Sequence, residues 1–151
     1  MRLVVQRVTR ASVSASGKLL GEIGAGAMVL AGIGTDDTPD IVDRMADKLI
    51  GLRYFEDADG RTNLDITDAG GALLVVSQFT LYADLRRGRR PGFTAAALPE
   101  VATPLVDRLI ERLRGHGVIV ETGRFGAEMA VELVNDGPFT LVIDSERDLA
   151  G

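Results

Sequence analysis

The sequence predicts an α/β fold: a single domain over residues 1–151 in which a mostly antiparallel β-sheet, barrel-like or two-layered, carries two amphipathic helices. Three observations predict it. Short β-rich runs punctuated by glycine fill residues 1–36, a continuous apolar run marks a central strand within 71–84, and apolar residues recur at helical spacing after Thr38 and again over 99–114. A chain of 151 residues is long enough to bury a core without covalent staples.

The first elements read as a meander. LVVQRV and ASVSAS are followed by a turn at Gly17-Lys18, then by LLGEI and AMVLAGIG. Glycines at 21, 24, 26, 32 and 34 invite a phosphate-loop reading. That loop must follow a strand and open a helix, whereas Gly24 and Gly26 lie between two strands, so turns and bulges account for them. Thr38-Pro39-Asp40 then starts a helix with a capping hydroxyl, a proline at the first helical position and an acid in the first turn. Its core face is Ile41, Val42, Met45, Ala46, Leu49 and Ile50, with Asp43, Asp47 and Lys48 solvated and an end near Gly51.

A short strand LRYFE and an acidic turn, Asp57-Ala58-Asp59-Gly60, come next. The turn lacks the later ligands and closing glutamate of a calcium loop. GALLVVSQFTLYAD, residues 71–84, is the strongest strand signal, and it stops being purely apolar at Ser77-Gln78. Polar groups at a strand end either contact a ligand or satisfy a sheet edge. The basic run that follows contains Arg86, Arg87, Arg89 and Arg90, and by itself reads as a solvated loop.

The second helix, 99–114, repeats Val101, Leu105, Leu109 and Leu113; Pro104 should kink it, or mark its true start with Thr103 as cap. His116 lies just past this helix, where a cation suits the dipole. Two last strands meet at Asn135-Asp136-Gly137, the pattern of an ordinary hairpin turn. The next residue, Pro138, makes Gly137-Pro138 a candidate cis peptide, which costs an X-Pro bond about 0.5–1 kcal/mol.

Composition narrows the chemistry. With no Cys and one His, the chain has no thiol nucleophile, no Cys-rich zinc site and no paired-histidine metal site, and any serine triad would have to run through His116. No metal or cofactor is expected. The formal charge of −5 argues against nucleic-acid binding by the surface as a whole. No secretory signal or membrane-length apolar run is readable, so a soluble, cytoplasmic protein without a membrane partner is expected.

Three segments combine: the start MRLVVQRVTRASV, the strand end SQFTLYAD and the turn NDGPFT. Together with GRRPGF and GRFGAEM, they resemble the D-aminoacyl-tRNA deacylase family over nearly the whole chain. The spaced Ser-Gln-x-Thr and Gly-Pro-x-Thr tetrapeptides carry the specificity, matched at Ser77, Gln78, Thr80, Gly137, Pro138 and Thr140. Phe139 stands where the family often has a smaller aliphatic residue.

The resemblance implies a homodimer, with active sites at the subunit interface, that hydrolyses the ester between a D-amino acid and the 3′ end of tRNA. It assigns catalysis to Gln78, Phe79 and Thr80, and substrate binding to Ser77, Gly137, Pro138 and Thr140. A Gly-cisPro element of one subunit is implied to enter the other's site as a chirality gate, passing D and, by having nothing to exclude, glycyl esters such as glycine mischarged on the alanine tRNA. Arg86, Arg87, Arg89 and Arg90 are the candidate tRNA contacts.

The chemistry agrees with the composition, because an aminoacyl ester is already activated and one positioned donor contributes about 2.7–4 kcal/mol to its hydrolysis. Thr80 is either a positioning group or a nucleophile, and the only nearby base in the sequence is Asp84. The rival readings are a non-catalytic module that binds an RNA end and a hydrolase of small D-amino acid esters without RNA.

Overall fold

A computed structural model describes residues 1–149. β1 (Arg2–Ala15) turns through Ser16 and Gly17, both at positive φ, into β2 (Lys18–Ile23), so this turn sits one residue earlier than its sequence suggests. β3 (Gly26–Gly32) leads to α1 (Pro39–Gly51), whose first turn is capped by the Thr38 hydroxyl accepting from Ile41 N–H at 3.3 Å. β4 (Phe55–Glu56) and β5 (Thr62–Leu64) form a small separate hairpin around the Asp57 turn, and a one-turn helix, α2 (Ile66–Ala69), follows. β6 is Ala72–Ser77; beyond it the chain enters a 3₁₀ turn, Phe79–Tyr82, instead of extending to residue 84. α3 (Pro99–Gly115), β7 (Val120–Thr122), β8 (Ala130–Asp144) and the one-turn α4 (Ser145–Asp148) complete the described chain.

The main sheet runs β2-β1-β3-β6-β7, with β8 on the other side of β1. β1 pairs antiparallel with β2, β3 and β8, whereas β3-β6 and β6-β7 are parallel. The sheet is therefore mixed, and it curls nearly into a barrel. The bare backbone of Gly21 in β2 approaches β7, where a Cβ would lie 3.1 Å from the Thr122 carbonyl. Gly26 is required by a still closer approach, since a Cβ there would lie 1.8 Å from the Ala72 carbonyl.

Parallel pairing explains why Leu73-Leu74-Val75-Val76 is uninterrupted. Leu73 and Val75 pack under the helices with Leu3, Val5, Leu49 and Leu109, while Leu74 and Val76 face the barrel interior with Val8, Val13 and Met28. A strand buried on both faces needs apolar residues at both parities. α1 and α3 lie side by side on the outer face, tied by bidentate pairs from Arg108 to Asp43 and Arg112 to Asp47 at 2.8–2.9 Å. These aspartates hold the neighbouring helix as well as facing water.

Three local expectations need correction. α3 starts at Pro99 and passes through Pro104, and Thr103 is not its cap but donates its hydroxyl to the Pro99 carbonyl at 2.7 Å. Val101 lies off the packed face of that helix and is 47% exposed, its place in the core taken by Ala102 and Val106. Asn135-Asp136-Gly137 is no hairpin, because β8 is one strand running antiparallel to β1 along its whole length. The residues after Asn135 form an irregularity in its register, between the pairs Val8–Asn135 and Gln6–Thr140.

Candidate functional site

The site begins where β6 ends. Gln78 makes the strand's last sheet bond, its N–H donating to the Ala31 carbonyl at 2.8 Å, and the chain then tightens into the 3₁₀ turn. Gln78 Nε2 donates to Thr80 Oγ1, which leaves the threonine proton directed elsewhere as a donor. No hydrogen bond from the N–H of Phe79 or Thr80 is found among the described residues; these groups open the turn, where backbone donors lack internal acceptors.

The turn is clamped from behind. Arg2 Nη1 donates to the Leu81 carbonyl at 2.9 Å, and its guanidinium lies 4.5 Å from the centre of the Tyr82 ring. Tyr82 seats on Gly34, where a Cβ would come within 2.8 Å of the ring. Burial, with Asp37 nearby, raises the Tyr82 phenol well above its ordinary range, so it stays neutral.

Ser77, Gln78 and Phe79 line a cavity of about 560 Å³, closed on its other sides by the start of α3 and by the loop 125–129. Its mostly apolar wall includes Ala102, Val106, Phe125 and Met129. The volume suits a small organic group with a few polar anchors. Sequence reasoning treated these wall residues as packing or left them without a role; the cavity exists only because α3, β6 and the 125–129 loop converge, a long-range arrangement with no local signature. Phe79 is 55% exposed at the rim and meets Phe93 edge-on at 5.0 Å.

Thr80 joins this group through Gln78, while Gly137, Pro138 and Thr140 do not line the cavity. They lie on β8, with β1 and β3 between them and β6. The Gly137-Pro138 bond is cis, and both residues are exposed. Two side chains brace this segment. Asn135 donates to the Arg7 and Phe139 carbonyls at 2.9 and 2.8 Å and accepts from Phe139 N–H at 3.1 Å. Arg7, buried on the inward parity of β1, donates to the Asp136 and Tyr54 carbonyls at 3.1 and 2.8 Å and stacks over Phe139. A charged residue following Leu3 and Val5 at that parity was the available signal for such a role. Thr140 Oγ1 accepts from Gln6 Nε2 at 3.3 Å.

Two carboxylates lie in this region, Glu128 of the 125–129 loop, which lines the cavity, and Asp84, which does not. Asp84 is occupied by Arg86, which donates from its backbone N–H, Nε and Nη2 at 2.8–3.0 Å, and these bonds hold the Asp84 carboxyl down to about 2. A carboxylate so stabilised is a poor proton acceptor. His116 stands at the far end of α3, its Nε2 2.8 Å from Asp47, and it does not line the cavity.

Known proteins resemble this chain throughout. The family model for D-Tyr-tRNA(Tyr) deacylase matches residues 4–144. The chain is 57% identical over 147 residues to a D-aminoacyl-tRNA deacylase of Symbiobacterium thermophilum, covering 97% of each, and 53% identical over 147 residues to that of Fervidobacterium nodosum, covering 97% of this chain and 99% of the other. Among solved structures, a c-Myc DNA unwinding element binding protein superposes with a TM-score of 0.90 at 39% identity, over 95% of this chain and 98% of the other. A probable eukaryotic D-amino acid tRNA deacylase superposes at 0.82 with 18% identity, over 94% and 97%, which shows a shared fold.

Proposed function

The chain belongs to the D-Tyr-tRNA(Tyr) deacylase family, and from that membership and its site we propose that it is a hydrolase of D-aminoacyl-tRNA, acting in chiral proofreading of translation in the cytoplasm. The observation that carries the mechanism is the Ser77–Thr80 corner: free backbone donors and a hydroxyl donor beside an apolar cavity, with Asp84, the carboxylate nearest Thr80 in the sequence, already occupied.

Water adds to the ester carbonyl carbon, the bond to the ribose oxygen breaks, and free D-amino acid and tRNA leave. The developing oxyanion faces the N–H groups of Phe79 and Thr80, with the Thr80 hydroxyl as a further donor. Ser77 and Gln78 orient the ester. A ribose hydroxyl of the substrate relays the proton, accepting it from the attacking water and passing its own to the departing ribose oxygen, while Asp84 and His116 are both engaged elsewhere. Thr80 on this reading positions and does not become acylated.

Gly137 and Pro138 form the rim that selects chirality, entering the cavity of a second copy. Within one chain two strands separate them from Ser77, and the outer edge of β8 pairs with no strand among the described residues. That edge exposes Val134 and Val142 at 41% and 54%, a surface suited to a homodimer. The bracing by Asn135 and Arg7 supports a rigid rim that captures the α-amino group and excludes an L side chain. Glycine has nothing to exclude, so glycyl-tRNA is also a substrate.

A second reading, a binding module without chemistry, is favoured by the name of the 39% identical structural neighbour, which describes DNA binding. Incubation with D-tyrosyl-tRNA decides between them. Multiple turnovers releasing free D-tyrosine are expected, whereas stoichiometric binding without release would establish the module. Equal cleavage of a free D-tyrosine ester and D-tyrosyl-tRNA would instead remove RNA from the function.

A further inference from the structure

We propose that Arg87, Arg89 and Arg90 grip phosphates of the RNA acceptor end, while Arg86, the first arginine of the same run, braces the loop and makes no phosphate contact. The proposal rests on the reading of this chain as an RNA-ester hydrolase. It divides a run of arginines that are equivalent in sequence into two roles that the structure separates.

The loop has a closed stem. Asp84 and Gly92 exchange both backbone hydrogen bonds, at 2.7 and 2.9 Å, so residues 85–91 project as a unit. Within it Arg86 folds back, and its backbone N–H and guanidinium saturate the Asp84 carboxylate in a bidentate fork. Its charge is compensated at the stem. Gly88, at φ +67°, then redirects the chain, and Arg87, Arg89 and Arg90 stand exposed with no ion pair or hydrogen bond among the described residues.

The stem is also registered to the cavity. Asp84 follows Tyr82 of the 3₁₀ turn by two residues, and Phe93, directly after Gly92, packs edge-on against Phe79 at the cavity rim. Both ends of the loop therefore grow out of the site, and the anchored stem carries the three free guanidiniums on the side of the cavity rim. With a net charge of −5, the rest of the chain carries more acid than base, so this run of arginines is a local exception to the overall charge. An esterified terminal nucleotide in the cavity places the phosphates that precede it within the loop's reach.

Binding of uncharged tRNA, measured across a salt series, tests the division of roles independently of catalysis. Neutralising three phosphates gives a slope of log affinity against log salt of about −2 on a single-stranded end. The triple variant R87A/R89A/R90A should flatten the slope by that amount and weaken low-salt binding at least tenfold. R86A should weaken binding while changing the slope by less than one, and R86K, which keeps the charge but loses the fork, should behave like R86A. An unchanged slope in the triple variant, a slope loss in R86A that R86K restores, or binding to anionic phospholipid vesicles in place of RNA would each overturn the proposal. Failure of the hydrolase reading would show separately, as absent turnover of D-tyrosyl-tRNA by the wild-type protein.

Discussion

In the proposed mechanism the chemistry turns on Thr80, and its surroundings argue for positioning. Its hydroxyl oxygen accepts from Gln78, and its only acidic neighbour in the sequence, Asp84, is held near pKa 2 by the hydrogen bonds from Arg86. A threonine nucleophile needs a base, and Asp84, paired in this way, is a poor one. Thr80→Ala should therefore lower kcat by about 10²-fold, as for loss of one oxyanion donor, and leave measurable hydrolysis. Abolished turnover in a folded protein, together with an acyl-enzyme trapped on the wild-type threonine, would establish covalent catalysis instead. The polar break at Ser77-Gln78 was legible in the sequence because it interrupts an apolar run. The engagement of Asp84 was not, because Arg86 two residues later reads equally well as a solvated charge.

At the scale of elements, the helix pair shows how much an amphipathic pattern can and cannot reveal. The core faces of α1 and α3 followed from spacing, apart from Val101, but the ladder joining their outer faces depends on the two helices lying side by side. Asp47 takes a bidentate pair from Arg112 and a further bond from His116, and these lower its pKa to about 2 from the usual carboxylate value near 3.8. A depressed carboxylate pKa stabilises the fold above the unfolded value, and that contribution disappears as pH falls from about 4 towards 2. Thermal melts of the wild type and Asp47→Asn should thus differ at pH 7 by at most about 1 kcal/mol, since the pair is exposed, and converge by pH 2. A difference that persists at pH 2 would place its origin elsewhere. β8 carries the complementary lesson. Asn135-Asp136-Gly137 has the composition of a hairpin turn, and only the register with β1, more than a hundred residues distant, makes it an irregularity within one strand.

Across the whole molecule, two properties that seemed to argue against an RNA enzyme prove compatible with one. The near absence of His and Cys fits a site made of backbone donors and a hydroxyl, and the acidic net charge leaves one basic loop beside the cavity. The fold class was legible because strand, cap and helix signals agree locally. The mixed pairing was encoded more faintly, in the double-faced burial of Leu73–Val76. The cavity itself emerges only from assembly. The cavity of about 560 Å³ lies across two strands from Gly137 and Pro138, which is why the proposed function brings that rim to it from a second copy. The most direct test is a comparison of deacylation rates for D-tyrosyl, L-tyrosyl and glycyl esters on one tRNA. The account predicts rapid loss of the D-tyrosyl and glycyl esters with the L-tyrosyl ester spared; equal rates for D and L would contradict it.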